Sequence, residues 1–369
     1  MIPASGGVEL SFADDRKIDL SSDETVYPGE AMIYLSAGKH IVKATPKPGA
    51  KLQKILVRSI PESFYYCADY HHAGIPKAHP HAIVRDFKTL ENLGVIQNYN
   101  VIGSETLQDL PAYLPDATPW RKSGRKWISS AKVPRQKNSL ELVENLWRKP
   151  MAITDHDGII VDEFGTGEYY RNQFPFWSGA VDSLAERSEL KGQRFYGFTG
   201  FATPEVYVQF ASSLLKNGYR IAPEIYIRGV GVLNSMPSRL RRWKKAIPGI
   251  ERNMVLFLGL DNRSTSMTFH LQPEMNYKVF MEDQYRMMSL NKEFEGLAGL
   301  GVWVSRYLDA DVLNWNARLI RHYLIEGQTA RLGKDPLMMN HLVNRNFSIS
   351  HRATIDKEFS QPYNFCRRS

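Results

Sequence analysis

From residue 55 to about residue 327, short apolar runs alternate with segments whose apolar residues recur every three to four positions. Apolar runs bounded by turn residues read as buried strands, and the longer period reads as amphipathic helix. The predicted strands are Ile55–Ile60, Gln97–Ile102, Lys126–Ala131, Gly158–Glu163, Arg194–Phe198, Arg220–Ile225, Met254–Leu260 and Gly299–Val304. The predicted helices between them are His81–Leu93, Glu105–Tyr113, Ser139–Lys149, Gly179–Leu190, Pro204–Asn217, Ser235–Ala246 and Pro273–Leu290, with Ala310–Glu326 after the last strand. Punctuation agrees with this reading. Asn138 can cap the third helix with Glu141 in the capping-box position, Pro204 follows Thr203 at a first turn, and Lys216-Asn217-Gly218 is a C-terminal stop.

The first fifty residues obey a different rule. Val8–Phe12, Ala31–Leu35 and His40–Ala44 alternate in period two, and Thr45-Pro46-Lys47-Pro48-Gly49 ends the pattern. Three strands are too few for an independent core, so this segment must pack on the rest of the chain or belong to a sandwich. The domain expectation is therefore a partial β-sandwich-like segment over 1–50, a barrel over 51–330, and an irregular tail or further β module over 331–369.

Eight strand–helix units over about 250 residues are the size of a (β/α)8 TIM barrel. An open doubly wound sheet is the rival, but no G-x-G-x-x-G follows the first strand and no P-loop is present. The fold expectation is α/β: a TIM barrel with a small N-terminal antiparallel β segment.

Composition narrows the classes. With 43% apolar and 23% charged residues the chain is of globular type. No run of about eighteen apolar residues is present, so no membrane span is expected. Met1 to Phe12 lacks a basic n-region and an apolar h-region, so no signal peptide is visible, and a secreted or periplasmic location applies if the N-terminus is incomplete. Cys67 and Cys366 are too far apart for a zinc knuckle or a disulfide scaffold. The net charge of +8 comes in bursts at Arg121–Lys126, Arg239–Lys245 and Arg367-Arg368. No nucleic-acid module accompanies it, so nucleic acid is not an expected partner. Eighteen Tyr and seven Trp supply faces that can stack on sugars as well as fill a core.

In such a barrel the reactive groups gather where strands end. The residues there are Glu62, Asp162 with Glu163, Glu224 with Tyr226 and Arg228, Asp261 with Asn262, and Trp303 with Arg306. The strongest element is Gly158-Ile-Ile-Val-Asp162-Glu163-Phe164-Gly165, in which a β-branched strand ends in two acids. Structurally, such acids cap a loop or pair with arginine. Chemically, neighbouring acids under partial burial raise a carboxyl pKa, as a general acid requires. His71, His72, His79 and His81 come after the first predicted strand. Their spacing fits no closed zinc pattern, so His71 and His72 are read as lining a sugar site, with no metal and no cofactor. Asp155-His156-Asp157 is read as a turn at the opposite end. Trp303 is equally a stacking platform or core.

Two carboxyl groups flanking a pocket, with aromatic and arginine neighbours, are the layout of glycoside hydrolysis. Gly158–Gly165 resembles the fourth-strand segment of (β/α)8 glycoside hydrolases, whose large retaining clan carries its acid/base glutamate at that strand's end. The resemblance implies Glu163 in that role. The clan's strand-seven glutamate falls on Asp261, a departure from the pattern that leaves Glu224 and Asp261 as alternative partners. The chain is also similar to bacterial multidomain proteins in which a barrel sits between β-sandwich modules, through Val26–Ala44 and His341–Phe347. The expected activity is cleavage of an oligo- or polysaccharide by Glu163, Glu224 and Asp261. Glu62, Asp162, His71, His72, Tyr226, Arg228, Asn262, Trp303 and Arg306 would bind the substrate. The alternatives are a non-catalytic carbohydrate-binding barrel or a metal-dependent hydrolase using the histidine-rich loop.

Overall fold

In the computed structural model the described residues are 7–13, 17–20, 27, 29–35, 38–52, 54–68, 86–104, 110–134, 139–165, 167–201, 204–227, 230–260, 277–304 and 308–333. Two sheets form. The first joins β1 (Val8–Phe12), β2 (Lys17–Leu20) and β3 (Val42–Pro46) in the antiparallel order β2-β1-β3. Val8, Phe12 and Leu20 are its buried side chains. The expected strand over Ala31–Leu35 is not one: those residues are irregular, and Lys17–Leu20 supplies the third strand. There Tyr34 N–H donates to the Ser123 carbonyl at the foot of the barrel instead of to a ladder.

The second sheet is a closed barrel of eight parallel strands. They are β4 (Glu62–Ala68), β5 (Val101–Ser104), β6 (Lys126–Lys132), β7 (Gly158–Phe164), β8 (Arg194–Gly200), β9 (Arg220–Ile225), β10 (Val255–Leu260) and β11 (Gly299–Val304), each beside its neighbours in sequence, with β11 returning to β4. The expected TIM barrel is therefore the fold of this chain.

Its first strand lies later than Ile55–Ile60. Ile55, Leu56 and Val57 are 47%, 51% and 83% exposed, whereas Ser63, Phe64, Tyr65 and Tyr66 are fully buried. A barrel strand must bury both faces, and Glu62–Ala68 does so with aromatic side chains on both. Gln97–Ile102 also shifts, because Ile96–Asn98 is a 3-10 turn and β5 begins at Val101.

Side-chain alternation builds two cores. Phe64, Tyr66, Val101, Ile128, Ile160, Tyr196, Phe198, Ala222, Val255 and Phe257 fill the barrel interior. Edge-to-face contacts join its rings: Phe64 lies 5.1 Å from both Tyr196 and Phe257, and Phe198 lies 5.0 Å from Phe257. Such pairs need small partners. A Cβ on Gly103 would meet Tyr66 at 2.6 Å, and one on Gly301 would meet Phe257 at 2.5 Å.

The alternate residues pack beneath helices. In the helix Pro204–Lys216, Tyr207, Phe210, Ala211 and Leu214 recur at helical spacing and are buried. In Leu140–Met151 the inward stripe is Val143, Trp147 and Met151. That helix is capped by Ser139, whose Oγ accepts from Leu142 N–H, rather than by Asn138. Two other helices run earlier or later than expected, at Leu110–Lys122 and Phe174–Glu186. The last, Ala310–Leu319, continues into a π-helical turn at Ile320–Ile325. Among the described residues no helix is long and apolar enough to cross a membrane.

Candidate active site

The mouth of the barrel is built first by β7. Ile160 faces the interior and Val161 the helix layer, so Asp162 returns inward, where Tyr66 Oη donates to its Oδ2 at 3.2 Å. Tyr66 Oη also lies 3.4 Å from Ser130 Oγ of β6. Strict alternation would then send Glu163 outward and Phe164 inward. Instead Phe164 packs in the outer core against Trp177 and Phe210, at 4.9 and 4.5 Å. The ladder to β8 slips between Val161 and Phe164, with Val161 opposite Gly197 and Phe164 opposite Thr199. One extra residue has entered the strand. Glu163 takes a φ of 64°, the only positive φ at a non-glycine among the described residues. Left-handed backbone is costly for a residue with a Cβ and concentrates at functional sites. The bulge thus presents two consecutive acids at the mouth, Asp162 half-buried and Glu163 exposed.

Glu224 comes from β9, where it stands opposite Phe257 and Gly200. Burial lifts its carboxyl group to about 7. The carboxylates of Asp162 and Glu163 add to the rise, against a hydrogen bond with Tyr226 that pulls it down. Three acids from two strands therefore act on one another, and Glu224 is the one lifted towards neutral pH. Tyr226 packs against Trp303 from β11 in a tilted pair, with ring centres 5.7 Å apart and planes at 53°, and a Cβ on Gly259 would meet its ring at 2.2 Å. Trp303 is half-buried and packs on the interior core.

Glu62 does not belong to this group. Because β4 begins with it, Glu62 lies at the N-terminal end of the barrel. Its Oε1 accepts from Arg194 at 2.6 Å and from Arg220 at 2.8 Å, and its Oε2 accepts from Tyr196 Oη at 2.9 Å. Arg194 and Arg220 are the first residues of β8 and β9. Burial raises the Glu62 carboxyl pKa, but the two guanidiniums overcome it and hold the group below the ordinary range. The displacement from its expected place comes from the shift of the first strand by several residues.

His71, His72, Arg228, Asp261, Asn262 and Arg306 lie outside the described residues, as do His79 and His81. Among the described residues no group of three or more histidines, cysteines or acids is placed to hold a metal ion. His156 is buried just before β7, its Nδ1 accepting from Gly158 N–H at 3.2 Å, and burial lowers its pKa. A separate apolar cavity of about 260 Å³ lies between Tyr285, Met288, Phe294, Leu300 and Tyr323, away from the acids. The titratable groups named above converge at the mouth rather than at this cavity.

Sequence reading missed Tyr66, Ser130 and Tyr207. The first two were legible as inward positions once Glu62–Ala68 and Lys126–Lys132 were taken as strands. Tyr207 had no signal apart from its place on an amphipathic helix.

The fold and its mouth define a (β/α)8 barrel with clustered acids at the C-terminal ends of its strands. No protein-family model matches the chain, and no curated protein does. Among solved structures the barrel is similar to fungal β-1,4-galactanases, at 10% identity and a TM-score of 0.44 over 69% of this chain and 99% of that one. It is also similar to a class V chitinase from Nicotiana tobaccum, at 11% identity and 0.45 over 74% and 100%. A chitinase-like agglutinin from Robinia pseudoacacia matches at 11% and 0.43 over 71% and 100%. At these identities the likeness concerns the fold alone.

Proposed function

We propose that the protein hydrolyses glycosidic bonds of an oligo- or polysaccharide at the C-terminal mouth of the barrel. The observation that carries this reading is Glu224, a half-buried carboxyl group lifted to about 7 beside the two acids of β7. A group with that pKa is about half protonated at neutral pH, so it can donate to a leaving oxygen, while the acids of β7 beside it would support a cationic sugar. Burial favours Glu224 as the proton donor, with Glu163 or Asp162 as the partner carboxylate. This exchanges the roles of Glu163 and Glu224 expected from sequence. Asp261, which follows β10 directly in sequence, remains a proposed partner. Tyr226 and Trp303 supply an aromatic wall for the sugar. The strands over 8–46 are read as part of a β-sandwich-like segment beside the barrel.

The test is a panel of α- and β-linked oligosaccharides and aryl glycosides, assayed by release of reducing ends. Wild type is expected to cleave at least one, and Glu224→Gln to lose about 10²–10⁴-fold. Oligosaccharide binding without cleavage by wild type would assign the barrel to carbohydrate binding instead.

A further inference from the structure

We propose that Tyr207 is a positioning residue for the acid cluster: its one hydroxyl ties the bulge of β7 to the end of β8 and so holds Asp162 and Glu163 facing Glu224. The inference rests on the reading of this mouth as the active site.

Tyr207 lies on the helix Pro204–Lys216 and is fully buried. Its Oη donates to the Phe164 carbonyl at 2.8 Å and accepts from Gly200 N–H at 3.3 Å. Those two backbone groups close β7 and β8 immediately beyond the slip in their ladder. A bulge leaves ladder groups unpaired, and a buried unpaired carbonyl or N–H is costly. One hydroxyl, being both donor and acceptor, satisfies the two at once.

The ring is held separately. It stacks on Trp243 at 6.1 Å and 12°, and meets Phe174 edge-on at 5.6 Å. Hydroxyl and ring therefore do different work, which makes the Tyr207→Phe exchange informative. The same corner is fastened once more towards β9. Trp243 Nε1 donates to the Phe201 carbonyl at 3.0 Å, and Phe201 N–H donates to the Glu224 carbonyl at 3.2 Å. Burial pushes the Tyr207 hydroxyl up to about 12 against the hydrogen bond from Gly200, and the charge of Glu224 adds to the rise, so the phenol stays neutral.

Glu163 sits in a backbone conformation it does not favour by itself. Without the Tyr207 hydroxyl the Phe164 carbonyl loses this bond, and the bulge is free to relax. Asp162 and Glu163 would then move away from Glu224 and admit water.

The test uses the full chain labelled with carboxyl-¹³C glutamate, the Glu224 resonance being the one missing from Glu224→Gln. In wild type Glu224 should titrate near neutral pH. In Tyr207→Phe its midpoint should fall towards the ordinary carboxylate range, with a thermal midpoint lower by only a few degrees because the ring packing survives. Hydrogen exchange of the peptides spanning 162–165 and 198–201 should speed up in the same variant. A purely structural role would lower the thermal midpoint and leave the Glu224 titration where it was, and that result would overturn the proposal. Should Tyr207→Phe not fold, wild type alone decides: the Gly200 amide should exchange slowly, and exchange as fast as an exposed loop would refute the bond. Activity of Glu224→Gln on the substrate panel is a separate readout. If it equals wild type the active-site reading fails, whereas an unmoved titration in Tyr207→Phe fails this inference alone.

Discussion

Glu163 shows how a single residue can be kept against its backbone preference. Its φ of 64° is glycine territory, and relief of that conformation is worth about 1 kcal/mol. We predict that Glu163→Gly is more stable than Glu163→Ala by roughly that amount, because only glycine occupies the left-handed region freely. Urea titration of the two variants checks this, and equal midpoints would count against a strained bulge. Asp162 was legible as an inward acid from period two alone. Glu163 was legible beside it as the second acid at the strand's end, but the slip in the ladder and the left-handed backbone there were not, because alternation alone carries no sign of an extra residue.

Individual strands differ in how far periodicity places them. Arg220–Ile225 and Gly299–Val304 lie where it put them. Each follows a turn, at 217–218 and at 295–296. The first barrel strand was displaced because Ile55-Leu56-Val57 is the more apolar run, while Glu62–Ala68 opens with a charge and a serine. Apolar content marks a strand only when its partners are in reach, and here Phe64 pairs with Val101 across the ladder. The interior also depends on glycines that no periodicity reveals. At Gly301 a Cβ would sit 2.5 Å from the Phe257 ring, which is itself wedged among Phe64, Tyr66 and Phe198. Gly301→Ala is expected to cost about 1–3 kcal/mol through overpacking. A change within experimental error in calorimetry would mean that the ring has room to move.

Across the whole molecule the two ends of the barrel differ in character: an ion-pair cluster holds the N-terminal end, and the acids of the proposed site stand at the other. At the N-terminal end Glu62 is gripped by Arg194 and Arg220. Removing one partner of a buried pair costs about 3–5 kcal/mol, and Glu62→Gln should approach that loss at neutral pH. The folded pKa of Glu62 is depressed, so its contribution is present above the unfolded-state value and disappears as pH falls through the folded one. The stability gap between wild type and Glu62→Gln should therefore be full at pH 7 and close at strongly acidic pH. Urea melts across that range check it, and a gap independent of pH would contradict the pairing. Activity on a cleavable glycoside should change far less than stability, since Glu62 is at the far end from the acids.

At the C-terminal end the proposed role of Glu224 is delivery of a proton to a leaving oxygen. Its most direct test compares wild type with Glu224→Gln on two glycosides of one sugar: an alkyl glycoside, whose leaving oxygen needs a proton, and a dinitrophenyl glycoside, whose leaving group departs without one. A loss of about 10²–10⁴-fold is expected on the alkyl glycoside and a much smaller loss on the dinitrophenyl glycoside. Equal kcat/KM for the two proteins on the alkyl glycoside would contradict it.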